Sequence, residues 1–310
     1  MDKRPYLSIC IPTYQRIEIT RNTIKSIYAD LDGVDLCDFE VIVSDNDPDE
    51  SSRVFEQEFN YENFHYFPTK CEGFLNSYYV LGYGNGEFLK LHNNCDRLLP
   101  GILKYQIDVV KINEKEKPVL FFSNGNRNFS GSLKFNSADD FLYSLSYFSS
   151  WSGGFGIWKE DYGKIQIKDI NKMFPQTSML FACLNKQKYI LDNSKFMEGQ
   201  LVVKKNGYNP YKVFAIDYLD LVNSIFEKSF VSAKTFKKIK TELLRKYLAS
   251  RFLRTVILRY DKFDHSNIKK HLLKYYGNYG YIKLFLWSLV SPFKYDIMGE
   301  LKVFRKYTKN

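Results

Sequence analysis

Three short apolar runs, each cut off by a polar cluster, constrain this chain more than any other feature. YLSICIP is stopped at Pro12, FEVIVSDN at Asp45 and Asn46, and EFLKLHN at a pair of asparagines. Runs of this length rich in branched residues predict buried strands rather than helices. Between the first two, RIEITRNTIKSIYADL carries Ile17, Ile24, Ile27 and Leu31 at helical spacing, which makes a strand, helix, strand unit. Farther along, SSRVFEQEF predicts a second helix, FHYFPT a short strand and GFLNSYYVLGYG a third helix ended by glycines. PVLFFSNGNRNF predicts a later strand and turn, and SSWSGGFGIWKEDY is a Gly-rich aromatic segment. The alternation predicts an α/β fold of the Rossmann type, a mostly parallel sheet flanked by helices.

Charge divides the chain of 310 residues unevenly. Residues 231–310 hold 19 Lys+Arg against 5 Asp+Glu, which leaves 26 against 30 for residues 1–230. The expected organisation is therefore an α/β domain over 1–230 followed by a helical basic extension over 231–310. In the extension, Leu244, Leu248, Phe252, Val256 and Tyr260 fall on one helical stripe, with Arg245, Arg251, Arg254 and Arg259 beside or opposite it. YIKLFLWSLVSPF is too short to span a bilayer but suits a helix lying in the interface, with Trp287 as an anchor. An anionic membrane surface fits such a segment. Packing on a partner subunit, as in a homo-oligomer, or on the catalytic domain is the rival reading. No nucleic-acid motif is present. The five cysteines are odd in number, widely spaced and never arranged as CxxC, so neither a disulfide framework nor a zinc site is indicated. The N-terminus has no signal-peptide pattern and no apolar run is long enough to cross a membrane, so the expected location is cytoplasmic, with peripheral attachment to the inner face of the cell membrane.

In open sheets ligands sit beyond the carboxyl ends of the strands, so PTYQR, SDND and NNCD should converge on one crevice. Asp45 suits a hydrogen bond from a ribose hydroxyl or a base N–H, and equally suits capping the turn in DPDESS. Asp96 with Asn94 could offer oxygen ligands to a divalent metal that neutralises a diphosphate; alternatively Asp96 caps the helix that begins near LLPGIL. The histidines His65, His92, His265 and His271 show no ligand spacing.

LSICIPTYQR, FEVIVSDND, CEGFLNSYYVLGYGNGEFLKL and NNCDRLLPG, in that order and spacing, resemble the successive signatures of family-2 glycosyltransferases, nucleotide-sugar-dependent enzymes of the GT-A fold. The likeness covers roughly residues 5 to 190. It implies a donor loop at Pro12, Thr13, Tyr14 and Arg16, and a base or ribose contact at Asp45 with Asn46. Gly73 and Asn76 match the next contact region, with Lys70 close by. Asn94 and Asp96 fall on the Asp-x-Asp motif for Mn2+ or Mg2+, with an amide in place of its first carboxylate, which weakens metal binding. Inverting transfer needs a general base. Gln176 stands at the expected spacing and cannot accept a proton, so Asp161 and Asp169 are the substitutes; Glu160 and Asp161 equally suit a surface turn. Trp151 and Gln176 fall on the acceptor side, where Trp151, Phe155 and Trp158 either line a sugar site or pack the core. The implied activity is transfer from a nucleotide sugar, a UDP-sugar, to a hydroxyl of a lipid-linked glycan in bacterial capsule, O-antigen or exopolysaccharide synthesis. A non-catalytic nucleotide-sugar or glycan-binding protein of the same fold is the alternative.

Overall fold

A computed structural model describes residues 4–202, 207–259 and 261–294. It forms two compact units, Met1–Leu201 and Val202–Asn310. The division by contacts thus precedes the charge step near 230, because the helices that open the second unit carry acidic Asp217, Asp220 and Glu227 on their surfaces while their apolar faces pack within that unit.

The first unit is built on ten strands: β1 Leu7–Thr13, β2 Phe39–Asp45, β3 Phe64–Pro68, β4 Phe88–Leu91, β5 Asp96–Leu98, β6 Val119–Phe122, β7 Ser132–Phe135, β8 Gly156–Trp158, β9 Tyr189–Asp192 and β10 Met197–Gly199. The main sheet has the order β3-β2-β1-β4-β8. Its first four strands are parallel and β8 runs antiparallel along β4. β6, β9 and β7 make a second sheet, and β5 pairs antiparallel with β10. Central parallel strands are covered on both faces, which is why β1 and β2 read as continuous apolar runs. Leu7, Ile9, Ile11, Val41, Val43, Ile24 and Ile27 meet in one core, the last two from the helix Ile17–Tyr28. The register sets Thr13 beside Asp45 and Asp45 beside Pro68, so the polar stops of neighbouring strands lie level.

Two sequence expectations resolve here. The helix Ile102–Asn113 is preceded by Gly101 in the left-handed region, at φ 76°, and Asp96 lies in β5, so Asp96 does not cap it. SSRVFEQEF forms only a 3-10 turn, Ser51–Val54, and one helical turn, Phe55–Glu58.

The second unit is helical. Leu244, Leu248 and Phe252 are buried and Val256 is half-buried; Tyr260 lies outside the described residues. Arg251 and Arg254 both pair with Asp261, at 3.2 and 3.0 Å. The Arg245 guanidinium lies 3.8 Å from the centre of the Trp287 ring, so that indole is occupied within its own unit. On the helix Gly280–Lys294, Ile282, Phe285, Leu286, Leu289 and Val290 are exposed. Among the described residues no helix is long and apolar enough to cross a membrane.

Candidate active site

Where β1, β2 and β4 end, the first unit opens a crevice of about 620 Å³, inside the range of roughly 300–1,000 Å³ typical of small-molecule sites. Pro12, Thr13, Tyr14 and Arg16 line it from the first strand end, Asn46 from the second, Gly73 and Asn76 from the following loop and helix, and Asn94 from the third strand end. The three polar tips expected to converge therefore do so. Lys70 is exposed and lies outside the lining.

Asn76, 2% exposed at the start of the helix Asn76–Tyr83, ties the tips together. Its amide nitrogen donates to the Ser44 carbonyl at 2.8 Å, to the Asn46 side-chain oxygen at 3.1 Å and to the Thr13 carbonyl at 3.4 Å. Its oxygen accepts from the Ser44 hydroxyl. Asn94 completes the arrangement: its side-chain amide donates to Thr13 Oγ1 at 3.1 Å while its main-chain carbonyl accepts from the Thr23 hydroxyl at 2.9 Å. These are neutral groups joined by hydrogen bonds, which is how a buried polar cluster holds one geometry.

Asp45 faces away from this role. It is 1% exposed, and its oxygens accept from the backbone N–H groups of Asp47 at 3.0 Å and Ser52 at 2.9 Å. It caps its own turn, the bland alternative of the two the sequence allowed. The crevice lining instead takes its polarity from Asn46, from Asn93 and Cys95 of the NNCD strand end, and from residues that strand-end reasoning passed over: Ser152, Ser77 and Cys71. Asn93 accepts from the Ser152 hydroxyl at 2.8 Å and donates to Asp96 Oδ2 at 2.6 Å. The doubled asparagine of HNNCD was the visible signal for it. Tyr14 and Phe74, each 49% exposed, present aromatic faces at the lining. Burial pushes the Cys71 thiol up to about 11. Gly153 lies against Asn93; a Cβ built on it would come 2.8 Å from the Asn93 amide nitrogen.

Behind this floor lies a buried ion. Lys90, 1% exposed on β4, donates from Nζ to the Leu91 carbonyl at 2.7 Å and the Gly153 carbonyl at 2.5 Å. The rings of Phe196 and Phe122 lie 5.0 and 5.4 Å from it. Burial pushes its ammonium down to about 7, and the nearby Asp96 charge opposes that shift. Burial and the Lys90 charge push His92 down to about 4, so its imidazole is neutral; its Nε2 donates to the Asp96 carbonyl at 2.7 Å.

Residues 8–78, which contain the first two strand ends and the start of the Asn76 helix, match the profile of glycosyl transferase family 2. The match covers less than a quarter of the chain, at its N-terminal end. Solved structures of residues 1–349 of TarS from S. aureus are similar to the chain in fold. The one in complex with UDP has 14% identity and a TM-score of 0.55, covering 94% of this chain and 91% of that one. The one in complex with UDP-GlcNAc has 14% identity and a TM-score of 0.51, with the same coverage. A third has 15% identity and a TM-score of 0.51, covering 81% of this chain and 73% of that one. The shared architecture is the GT-A fold. No curated protein sequence matches the chain.

In this crevice the expected metal ligands do not fit a resident dication. Among the described residues no three His, Cys, Asp or Glu side chains gather in a way that could hold one. Asp96, 8% exposed, sits outside the crevice lining with Oδ2 engaged by Asn93, and Asn94 turns its amide nitrogen to Thr13. A hard cation needs oxygen ligands, usually with at least one accessible carboxylate.

The residues named for catalysis and acceptor contact are placed elsewhere in the first unit. Asp161 is buried at 8% exposure, pairs with Lys186 and with Lys164 at 3.3 Å, and lines a separate cavity of about 300 Å³. Asp169 is exposed in the turn Ile167–Asp169. Neither reaches the crevice lining. Gln176 donates to the Ser150 carbonyl at 2.6 Å, fixing the turn that leads to Ser152. Trp151 is half-buried against Phe196. Phe155 and Trp158 are buried core residues, and the Trp158 indole donates to the Pro118 carbonyl at 2.7 Å.

Proposed function

We propose that the crevice binds a nucleotide-diphosphate sugar, a UDP-sugar, and that the enzyme transfers the sugar with inversion to a hydroxyl of a lipid-linked glycan in bacterial surface-polysaccharide synthesis. The acceptor oxygen attacks the anomeric carbon, the bond from that carbon to the diphosphate oxygen breaks, and the nucleotide diphosphate leaves with the electron pair. The hydroxyl proton passes to a general base. No carboxylate or histidine lines the crevice, so this reading draws the base from outside that lining. Asp161 and Asp169 remain the residues named for it.

The observation that carries the reading is the convergence of Thr13, Asn46, Asn76 and Asn94 on one crevice at the carboxyl ends of parallel strands, the position where open α/β sheets bind nucleotides. The match of residues 8–78 to the profile of an enzyme family favours transfer over a binding-only role. The UDP and UDP-GlcNAc complexes of TarS support the choice of nucleotide. The exposed apolar residues of the helix Gly280–Lys294, in a segment of strong positive charge, support attachment to the anionic inner face of a membrane, where a lipid-linked acceptor resides. A second copy of the chain would be the other occupant of that face.

The test offers purified protein a panel of UDP-, dTDP-, CDP- and GDP-sugars with a lipid-linked acceptor in anionic vesicles, and separately with a soluble acceptor. Product identified by mass is expected from a UDP-sugar, faster on vesicles. Absence of transfer from every donor would sink the reading; equal rates on both acceptors would remove its membrane part.

A further inference from the structure

Of the crevice-lining residues, Arg16 alone carries a formal charge; the floor, where carboxylates were expected, presents Asn93, Asn94 and Cys95. A floor of carboxylates repels a diphosphate and therefore requires a dication between the two. A neutral floor does not. The charge of Asp96, the one acid of that loop, favours the ammonium form of Lys90, which is held by the carbonyls of Leu91 and Gly153. These carbonyls belong to the two segments that supply Asn93 and Ser152 to the lining, and those two side chains are joined across the gap at 2.8 Å. Lys90 therefore fixes the floor and, in its ammonium form, places a positive charge beneath it. A lysine this deep is costly to bury, and the charge of a diphosphate in front of it acts in the same direction as Asp96, toward the ammonium. Arg16 is also the N-cap of the helix Ile17–Tyr28, so the crevice borders the positive end of that helix dipole.

We infer that the enzyme neutralises the diphosphate of its donor with two protein cations, Arg16 in the lining and Lys90 beneath the floor, and binds that donor without a divalent metal. This rests on the donor-site reading above. Lys90 acts as a positioning residue that also supplies charge; Arg16 is the contact.

UDP binding to the full chain, measured by calorimetry with EDTA and with Mn2+, separates the possibilities. Affinities within about twofold of each other are expected. Loss of ten-fold or more in EDTA overturns the inference while leaving the donor site standing. Absence of binding in both buffers, repeated with GDP and dTDP, removes the donor site and the inference together. The wild-type comparison needs no variant to fold. Arg16→Ala, at an exposed position, is expected to weaken UDP ten-fold or more in both buffers; unchanged affinity would strike Arg16 from the pair. Lys90→Met is expected to weaken binding in EDTA and to recover part of it with Mn2+, because an added dication on the diphosphate then replaces the positive charge the lysine supplied. A purely structural lysine would not make binding metal-dependent, so equal losses in the two buffers would overturn the charge role.

Discussion

Around Asn76 the first unit joins its strand ends with amides and hydroxyls alone, whereas around Asp161 it sets a carboxylate between the ammonium groups of Lys186 and Lys164. Both clusters are polar and largely buried. The neutral one fixes direction: each amide offers two donors and an acceptor at defined angles, so Thr13, Ser44 and Asn46 are held in one arrangement. The ionic one fixes little beyond proximity, since an ammonium is a rotating point charge. A surface meant to receive an anion gains from the first kind of construction, because it adds no charge to be overcome.

Lys90 lies closest to breaking this contrast, being an ion lodged beneath the neutral network. Its folded value, about 7 against an ordinary 10.5, means that the unfolded chain binds a proton between those pH values and the folded chain does not. Stability should therefore rise as pH increases from 7 to 10, by roughly 5 kcal/mol at most if the shift is taken whole. Melting temperatures across that range should show the rise in the wild type and a flatter profile in Lys90→Met. A flat wild-type profile would mean that the ammonium is not penalised by burial.

Asn76→Ala should cost about 2–3 kcal/mol, because the Ser44 carbonyl and hydroxyl lose a buried partner. It should also weaken UDP at least ten-fold. Chemical denaturation paired with calorimetry checks both, and a stable variant with intact affinity would show that the strand ends hold themselves in place. The smallest effect is expected at the ionic cluster. Asp161→Asn should lower stability by about 1–2 kcal/mol, below the roughly 3–5 kcal/mol of breaking a fully buried pair because the partner ammonium groups of Lys164 and Lys186 reach water, and leave UDP affinity within twofold. A larger change in affinity would place that cavity within the donor site after all.

The main-sheet strands were legible because a central parallel strand, apolar on both sides, writes an uninterrupted run, and polar stops such as Pro12 and Asp45 mark its end. The crevice followed from those stops. The roles of individual acids did not. Whether Asp45 looks into a crevice or back at Ser52 depends on the path of a seven-residue turn, which composition does not encode. Asp161 and Asp169 were chosen by distance along the chain from a Gly-rich segment, and chain distance says little about position once short helical turns intervene. Lys90 was hidden inside a strand where every neighbour is apolar; only its partners, two carbonyls and two aromatic rings, reveal how the charge is tolerated. In the basic extension the helical stripe was visible, but its partner was not: Leu244, Leu248 and Phe252 serve the interior of their own unit, while the exposed apolar face belongs to the helix Gly280–Lys294.

The contact of Gly153 with Asn93 has one more implication. With the Trp151 ring 3.0 Å and the Met197 methyl 3.1 Å from where its Cβ would stand, a side chain at 153 has no room on any of those sides. Of the three, Asn93 lines the crevice, so displacing its amide would change the crevice itself. The thickness of this wall is therefore set by a hydrogen atom, and the capacity of the chamber can be trimmed from behind, one methyl group at a time, by a substitution at a position that does not itself line it.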